Sequence, residues 1–291
     1  MGPTMIELKQ KRPGFSQFIG SWVFFEDIHF VIDTGPSNSV DQLIEALRKM
    51  NVDRVDFVLI THIHIDHAGG LADLFEHFPM AKAICHNIAV RHLADPSKLW
   101  AGSRKVLGDI AEAYGPIKPV KAERLIPHGE ANIQGLKIIE TPGHAPHHIS
   151  FSYKGHLFAG EAGGNFFSFQ DQEYLRPATP PVFLLEECLK SIDNLIMEPD
   201  QPIYYPHFGM ALSSHHCLRR FKAQLLRWKE IIQRVLSEGN MNPVERCIER
   251  LMEEDPDLKA FGQMDLHSQE RERYFLSNSV KGYLGYLENN S

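Results

Sequence analysis

Three histidines and one aspartate fall within six residues, directly after a short apolar segment. The segment is Phe57-Val58-Leu59-Ile60, and its length and composition suit a strand that is buried on both faces. A strand would turn the last polar side chain away from the others, and a helix would spread all four around its axis. We therefore predict an irregular strand-to-helix loop that wraps a metal ion. The cluster consists of His62, His64, Asp66 and His67.

The ligand types in this cluster indicate which cations suit it. Imidazole nitrogens and carboxylate oxygens are ligands for Zn²⁺, iron and Mn²⁺. A single histidine in a polar loop is usually only solvated, but three of them with an aspartate beside a buried strand favour a metal site. We expect divalent metal ions as cofactors, with zinc as the first candidate and iron or manganese as alternatives.

The size and charge of the chain narrow its class. With 291 residues, of which 43% are hydrophobic and 23% charged, it is long enough for one large α/β domain or two smaller ones. Its formal net charge is −7, and lysine and arginine form no long block. Because phosphate backbones bind cationic surfaces, nucleic acid is a disfavoured partner. The expected partner is a small-molecule substrate.

Cysteine spacing and hydropathy give the expected location. The four cysteines are scattered without CxxC spacing, which argues against a disulfide framework or a thiolate zinc site. The first residues lack the basic and apolar regions of a leader, and no stretch of about 18 apolar residues occurs. We therefore expect a cytoplasmic protein without a membrane span.

The predicted elements occur in the same order twice. Each half has a hairpin, then a helix, then a short apolar strand that leads into a histidine. The second half also carries a Phe- and Pro-rich insertion at 165–181. We predict two related β-β-α-β units that face each other, with the functional site where their strand ends meet. The hairpins are Phe15–Phe25 with His29–Asp33 and His148–Tyr153 with His156–Ala159, the helices Val40–Met50 and Val182–Met197, and the strands Phe57–Ile60 and Pro202–Tyr205.

Helical patterns dominate after residue 212. Amphipathic spacing predicts a helix at His215–Leu236, the proline after Asn242 is typical of a first helical turn, and Gln269–Leu287 has helical character. We divide the chain into an α/β domain at 1–212 and a helical extension at 213–291. Apolar side chains of the last helix are expected to face the core, and a homodimer is a candidate assembly.

The pattern His-x-His-x-Asp-His resembles the signature of the metallo-β-lactamase fold superfamily, and the likeness extends over residues 15–212. It implies an α/β fold, a four-layer αββα sandwich of two β-β-α-β-like halves, here with a C-terminal helical extension. Asp33 matches a motif whose carboxylate supports the metal loop from behind. His144, in a Thr-Pro-Gly-His context, and His207, after an apolar strand, match further metal motifs. Glu161 stands where the family usually has aspartate.

The resemblance also implies how these residues divide between two metal ions. Glu161 would contact both ions; because its side chain is one methylene longer than that of aspartate, it could instead bind only one ion or leave the second weakly held. A metal-bound hydroxide would attack the substrate, and Asp66 would act in catalysis by holding or receiving the proton. One ion would bind His62, His64 and His144, and the other would bind Asp66, His67 and His207.

The expected activity is hydrolysis of a small ester, lactone or thioester. The insertion at 165–181 comes directly after Glu161 and is expected to wall a mostly apolar substrate pocket beside the metals. An arginine or tyrosine there would orient a polar or anionic group. The residues that we assign to this pocket are Phe167, Tyr174, Arg176 and His148.

Three other functions use the same residues. A phosphodiesterase or nuclease would need a basic clamp, for which residues 219–229 leave some room, and would show salt-sensitive RNA binding. An iron-dependent oxidoreductase or dioxygenase would purify with about one equivalent of iron. A non-enzymatic protein would keep the metals for folding and use the helical extension for association; stability and turnover measured after chelation would separate this structural role from catalysis.

Overall fold

The computed structural model describes residues 2–169, 172–181, 183–239 and 242–290. Within these ranges the chain forms two mixed sheets, a separate hairpin and helices that flank them. The strands are β1 (Thr4–Glu7), β2 (Gly20–Phe25), β3 (His29–Ile32), β4 (Phe57–Leu59), β5 (Lys82–Cys85), β6 (Leu125–Pro127), β7 (Leu136–Glu140), β8 (Ile149–Tyr153), β9 (His156–Phe158), β10 (Asn165–Phe169), β11 (Gln172–Arg176), β12 (Ile203–Tyr205) and β13 (Gly209–Ala211).

The α-helices connect and cover these strands. Four short 3₁₀ turns accompany them, at Ser37–Ser39, Ala122–Arg124, His128–Glu130 and Pro256–Gln263. The helices are α1 (Val40–Lys49), α2 (Ile65–Ala68), α3 (Leu71–His77), α4 (Ala89–Ala94), α5 (Ser97–Leu107), α6 (Asp109–Tyr114), α7 (Leu185–Ile196), α8 (Ser214–Ser237), α9 (Pro243–Glu254) and α10 (Leu266–Asn289).

The two sheets contain the predicted internal repeat. The first sheet has the order β1-β2-β3-β4-β5-β6 and the second the order β13-β12-β9-β8-β7. In the first, the antiparallel pair β2 and β3 is followed by α1 and by β4, which lies parallel to β3. In the second, the antiparallel pair β8 and β9 is followed by α7 and by β12, parallel to β9. The prediction of two β-β-α-β units is confirmed.

Alternating side chains explain why the sheets pack face to face with helices outside. Along β2, Trp22 and Phe24 belong to a core between the sheets, whereas Val23 belongs to the larger core that includes the helices. Phe30 and Val31 divide in the same way along β3. Successive residues of a strand point to opposite faces of the sheet. Because both odd and even positions are apolar here, both faces of each sheet must be covered by other elements. This produces the predicted four-layer αββα sandwich.

Several predicted boundaries were wrong. The first hairpin strand begins at Gly20, because the chain turns before it: Gln17 has a left-handed φ of +48°, and Phe18 is buried as a loop residue. The insertion folds as the antiparallel hairpin β10–β11. The helix predicted from Val182 begins at Leu185, and Val182 lies outside the described residues. Strand β1 and helices α4 to α6 were not predicted.

The long C-terminal helices pack on the α/β body. Helix α8 contacts α7 and α9, and Trp228 on α8 is buried. Its ends agree with the predicted helix to within two residues. In the part of the chain that the structure describes, none of the helices combines the length and apolar character needed to cross a bilayer. The boundary at residue 212 stays a prediction.

Candidate metal centre

The candidate ligands lie beyond the carboxyl ends of strands from both sheets. Asp33 directly follows β3, and His62 comes shortly after β4. In the second sheet His144, Glu161 and His207 come after β7, β9 and β12. Because β3 is parallel to β4 and β9 is parallel to β12, the carboxyl ends of the two strands in each pair lie at the same edge of their sheet. The sandwich brings these two edges together.

The predicted metal loop is part extended and part helical. His62 and Ile63 continue the chain from β4, and His64 has extended backbone angles (φ −60°, ψ 149°) as the cap of α2. Asp66 and His67 lie on the single turn of α2. This change from extended to helical backbone lets four neighbouring side chains point into one space, which neither regular element alone would allow.

The first cluster contains His62, His64, His144 and Glu161. The Nδ1 atom of His64 lies 3.0 Å from Nε2 of His62 and 3.0 Å from Nε2 of His144. Oε2 of Glu161 is 2.8 Å from Nε2 of His144 and 3.3 Å from Nε2 of His62. One donor atom from each of the four residues falls within 4.8 Å of the others, so the group could hold a metal ion.

The second cluster contains Asp66, His67 and His207, whose donor atoms also lie within 4.8 Å of one another. Oδ2 of Asp66 is 3.6 Å from Nε2 of His67 and 3.7 Å from Nε2 of His207. Glu161 reaches this cluster as well: its Oε2 lies 3.6 Å from His67 and its Oε1 lies 3.6 Å from His207. The Glu161 carboxylate therefore stands between the two clusters.

Backbone carbonyls fix the ring orientation of two histidines. Nδ1–H of His144 donates to the carbonyl of Ala178 at 2.8 Å, and Nδ1–H of His207 donates to the carbonyl of Phe18 at 3.1 Å. A neutral imidazole that donates through Nδ1 presents a lone pair at Nε2. In both residues Nε2 is the atom that faces the clusters, so the hydrogen bonds prepare it as a metal ligand.

Asp33 supports the metal loop from behind, where the sequence predicted it. Its carboxylate is buried and accepts hydrogen bonds from the backbone N–H of Thr61 (2.8 Å), from Thr61 Oγ1 (2.7 Å) and from Nδ1 of His67 (3.0 Å). The residue itself has a left-handed φ of +53°, a conformation that aspartate tolerates better than most side chains. Asp33 thus fixes both the backbone before His62 and the ring of His67.

The donor set fits a cation. With Nδ1 of His67 bound to Asp33, its Nε2 is buried and has no hydrogen-bond partner among the described residues. A buried polar atom without a partner is costly. This Nε2 points toward the carboxylates of Asp66 and Glu161, which when ionised can accept hydrogen bonds but cannot donate them. A metal ion between these groups would satisfy all three.

Burial and mutual repulsion keep key ligands in the form that binds metal. Burial lowers the pKa of His62 and His64 well below its usual value, and neighbouring imidazoles lower it further. Both rings are therefore neutral near pH 7, as a metal ligand must be. Burial alone would raise the pKa of Glu161, but His144, His62 and His67 outweigh it and hold that pKa well below its usual value. Glu161 is thus a charged carboxylate.

His148 lies behind Glu161. Its Nε2 accepts the backbone N–H of Glu161 at 3.0 Å, and its Nδ1 is 2.7 Å from Thr141 Oγ1. Gly160 has a φ of +56°, and a Cβ there would come 2.4 Å from Nε2 of His148. The imidazole and the glycine together set the backbone at Glu161. His148 is fully buried, so it has no exposed surface to offer a substrate. Its assignment to the substrate pocket stays a prediction.

The structure places the three predicted pocket residues of the insertion among packed side chains. Phe167 and Tyr174 stack at 5.8 Å between ring centroids, and Arg176 donates from Nε to Glu272 of α10 at 2.5 Å. Tyr174 and Arg176 are almost completely buried. These contacts hold the hairpin β10–β11 against the C-terminal helix. Their role in binding substrate stays a prediction.

Tyr114 was missed by the sequence analysis. It ends α6, and its buried hydroxyl has no hydrogen-bond partner among the described residues. Burial raises the pKa of this phenol well above its usual value, and the charges of Asp66 and Glu161 raise it further. No local motif marks it, because α6 reaches the centre only through tertiary packing.

A third histidine cluster has equally close donor atoms but differs from the first two in the hydrogen bonds of its imidazole rings. His86 and His128 follow β5 and β6, and donor atoms of both lie near the Glu140 carboxylate. Their Nδ1 atoms accept backbone N–H groups, from Ile88 at 3.1 Å and from Asn87 at 3.1 Å. A neutral ring that accepts at Nδ1 carries its proton on Nε2. Both rings therefore present N–H donors toward Glu140, with His128 at 2.8 Å.

Comparison with known proteins agrees with this fold. Residues 17–207 match the family model of the metallo-beta-lactamase superfamily, so the chain belongs to that superfamily. This membership confirms the predicted family and the expectation of a metallo-β-lactamase-like enzyme.

Its relatives include proteins that are described only in general terms. It is 29% identical to metallo-beta-lactamase fold-containing protein ST1585 of Sulfurisphaera tokodaii over 71% of this chain and 77% of that one. A crystal structure of ST1585, from Sulfolobus tokodaii, covers 97% of this chain and 98% of its own with a TM-score of 0.68 at 22% identity. A probable metallo-hydrolase, MJ0888 of Methanocaldococcus jannaschii, is 26% identical over 68% of this chain and 91% of its own.

A more specific name occurs among partial matches. The hydroxyacylglutathione hydrolase of Idiomarina loihiensis is 26% identical over 47% of this chain and 42% of its own length. The chain thus spans less than half of that relative, and the match concerns a shared region.

Replacing Asp33 with asparagine tests its supporting role. An amide keeps the size of the side chain but can no longer accept from three donors at once without turning its NH₂ toward one of them. We expect zinc affinity to fall by about 10- to 100-fold, the usual cost of losing a partner behind a ligand. Competition titration with a chromophoric chelator measures this. Asp73→Asn, on α3 and paired with Lys118, is the control and should leave the affinity unchanged.

Proposed function

We propose that this protein is a metal-dependent hydrolase that acts on small esters, lactones or thioesters. The observation that carries the proposal is the position of Glu161, whose two carboxylate oxygens approach histidines of both clusters. Such an arrangement suits a pair of cations that share one carboxylate. The proposed ligands are His62, His64 and His144 for the first metal, Asp66, His67 and His207 for the second, and Glu161 for both.

Zinc is the cation that we expect at the first cluster, because this cluster offers three imidazole nitrogens in a buried, closely spaced group. Iron and manganese accept the same donors and are outcomes of the test below. When bound, divalent cations supply a nucleophilic hydroxide at neutral pH by lowering the pKa of a coordinated water from 15.7 to about 7.

The residues of the chain itself account for the remaining steps. Asp66 keeps 17% of its side-chain surface exposed, whereas His67 and His207 keep 4% or less, so Asp66 faces the side from which substrate and water arrive. A carboxylate there can hold or accept a proton while the scissile carbonyl is attacked. The backbone amide of Glu161 is occupied by His148, so this amide is not free to stabilise an oxyanion.

Charge and relatives support the substrate class. A net charge of −7 argues against a polyanionic nucleic acid as substrate. Hydroxyacylglutathione hydrolases among the partial matches favour a thioester over the other two ester types. Location in the cytoplasm stays a prediction; the four cysteines are buried and carry free thiols.

Removal of metal tests the proposed activity. We expect the purified protein to hydrolyse at least one member of a panel of thioesters, lactones and aryl esters, and to lose that turnover when metal is stripped by a chelator. Return of Zn²⁺ should restore it, with Mn²⁺ and Fe²⁺ compared at equal occupancy. Elemental analysis of the untreated protein counts the ions. Turnover that survives complete removal of metal, or no hydrolysis by protein that holds two equivalents, would contradict the proposal.

A further inference from the structure

Three charged side chains are buried together where the C-terminal helix meets the α/β body. Glu272 of α10 accepts from Nε of Arg176 at 2.5 Å through one oxygen and from Nε of Arg271 at 2.8 Å through the other. The exposed fractions are 0% for Glu272, 1% for Arg176 and 7% for Arg271. We call these three residues the buried triad. It links the hairpin β10–β11 to α10 through one carboxylate.

Arg271 extends the triad to the segment that precedes β2. Its guanidinium carbon lies 4.2 Å from the ring centroid of Phe18, and its Nη1 donates to the carbonyl of Gly14. Since Nε is held by Glu272, the guanidinium has little freedom to rotate away from either contact. The loop between Gly14 and Phe18 is thus held at both ends by one side chain of α10.

Phe18 in turn contacts His207, a member of the second cluster. The two rings lie 4.7 Å apart between centroids at an angle of 37°, and the Phe18 carbonyl accepts Nδ1–H of His207 at 3.1 Å. Phe18 therefore fixes both the ring plane of His207 and the nitrogen that carries its proton. A continuous series of contacts runs from Glu272 through Arg271 and Phe18 to His207.

Stability alone does not account for a buried triad at this point. Burial of charged groups costs several kcal/mol per ion, and well-packed apolar residues in place of a buried ion pair often give equal or greater stability. What apolar residues cannot supply is a fixed direction for each hydrogen bond. The direction that the triad fixes is that of Arg271 on Phe18, two contacts away from the second cluster.

We propose that Glu272 is a positioning residue for the second metal, acting through Arg271 and Phe18 on His207. The inference rests on the proposed two-metal function. It assigns a role at the metal centre to α10, which lies outside the region of 17–207 that the family model matches. Among the described residues the first cluster meets this series only indirectly, through Glu161 and through the ring of His67, which lies 5.3 Å from that of His207 and 4.0 Å from that of His62, so we expect its metal to depend far less on Glu272.

Stepwise zinc titration of Glu272→Gln tests the proposal. Glutamine keeps the shape but removes the charge and one acceptor, so Arg176 and Arg271 can no longer both donate to this side chain and Arg271 is held less firmly. We expect the second zinc equivalent to bind about 10-fold more weakly, at the lower end of the effect of residues behind a ligand, and the first to be unchanged. Competition with chromophoric chelators resolves the two equivalents, and Co²⁺ substitution reports the geometry of each spectroscopically.

Asp255→Asn is the matched control. Asp255 is also a buried carboxylate of the helical region, and it accepts from Trp228 Nε1 at 2.7 Å, Gln224 Nε2 at 2.7 Å and Arg227. Replacing this carboxylate should destabilise the fold without weakening the binding of either zinc ion. Arg271→Lys serves if Glu272→Gln does not fold, because lysine keeps the charge but not the planar contact with Phe18. Arg271→Lys should likewise lower the affinity for the second zinc ion.

Three results would overturn the inference. They are equal weakening of both equivalents in Glu272→Gln, an unchanged second equivalent in both triad variants, and the same selective loss in Asp255→Asn. A wild-type protein that binds only one equivalent would refute the two-metal centre of the proposed function and this inference with it. Two equivalents in the wild type with no selective effect would refute the inference alone.

Discussion

Replacing Glu161 with glutamine should reduce turnover by about 10³-fold or more. Glutamine can offer only its carbonyl oxygen, so the residue can no longer bind two cations. Loss of a partner behind a ligand already costs about 10- to 100-fold in metal affinity, and here both metals lose a direct ligand. Because the Glu161 carboxylate lies within 3.6 Å of four histidine side chains, its negative charge also stabilises that group of imidazoles. We expect metal content to fall from two equivalents to one or fewer at micromolar free zinc.

Two further variants make this result specific. Glu161→Asp withdraws the carboxylate by about one carbon–carbon bond, roughly 1.5 Å, and we expect it to retain the first metal while the second binds more weakly. Glu140→Gln is the control, since that carboxylate is also held by a histidine, His128, but lies in the third cluster. It should leave metal content and turnover unchanged. Full turnover in Glu161→Gln with two metals bound would show that the carboxylate does not bridge them.

The residues of the metal centre that could be predicted share a local signal. His62 to His67 are neighbours in sequence, and His144 and Glu161 stand at strand ends flanked by glycine. A strand end is recognisable from an apolar run that stops at glycine or proline, and parallel strands bring such ends to one edge. As metal ligands, His144, Glu161 and His207 are assigned through the motifs of the superfamily that the sequence resembles. The contacts that orient these side chains, from Ala178 and Phe18, carry no such signal.

The parts that were missed depend on contacts between distant residues. Arg176 and Glu272 are 96 residues apart, and nothing near either one indicates that they meet in the interior. Phe15 and Phe18 have strand-forming side chains, yet the tertiary structure uses them as loop residues that pack against Tyr114 and His207. Tertiary packing here outweighs strand propensity, as it often does for short apolar segments.

For the insertion at 165–181, the sequence predicts the position in the fold but not which way the aromatic side chains face. The sequence placed residues 165–181 next to Glu161, and the structure places β10 directly after it. Whether an aromatic side chain faces a substrate or a helix depends on the strand register. Pairing of Phe167 with Tyr174 turns both toward α10 and the Phe18 region. The register of two paired strands cannot be read from composition.

Replacing Asp66 with asparagine should separate the two roles proposed for this carboxylate. As a metal ligand, Asp66 contributes one oxygen to the second cluster, 3.6 Å from His67 and 3.7 Å from His207. As a proton acceptor on the exposed side of the centre, it would contribute about 10²- to 10⁴-fold to the rate. Asparagine keeps a weak oxygen ligand but cannot accept a proton near neutral pH. We expect weakened binding of the second metal and a large fall in kcat.

The measurement that distinguishes the roles is turnover at saturating metal. Excess Zn²⁺ should refill the second site of Asp66→Asn, as followed by competition titration, because His67 and His207 remain and His67 is still held by Asp33. If Asp66 also handles a proton, kcat should stay about 10²-fold or more below the wild type after the metal is restored. Asp73→Asn, a change of the same kind one helix later, should leave both quantities unaltered. Recovery of full kcat with metal alone would mean that Asp66 is only a ligand, and that the proton is taken by another group.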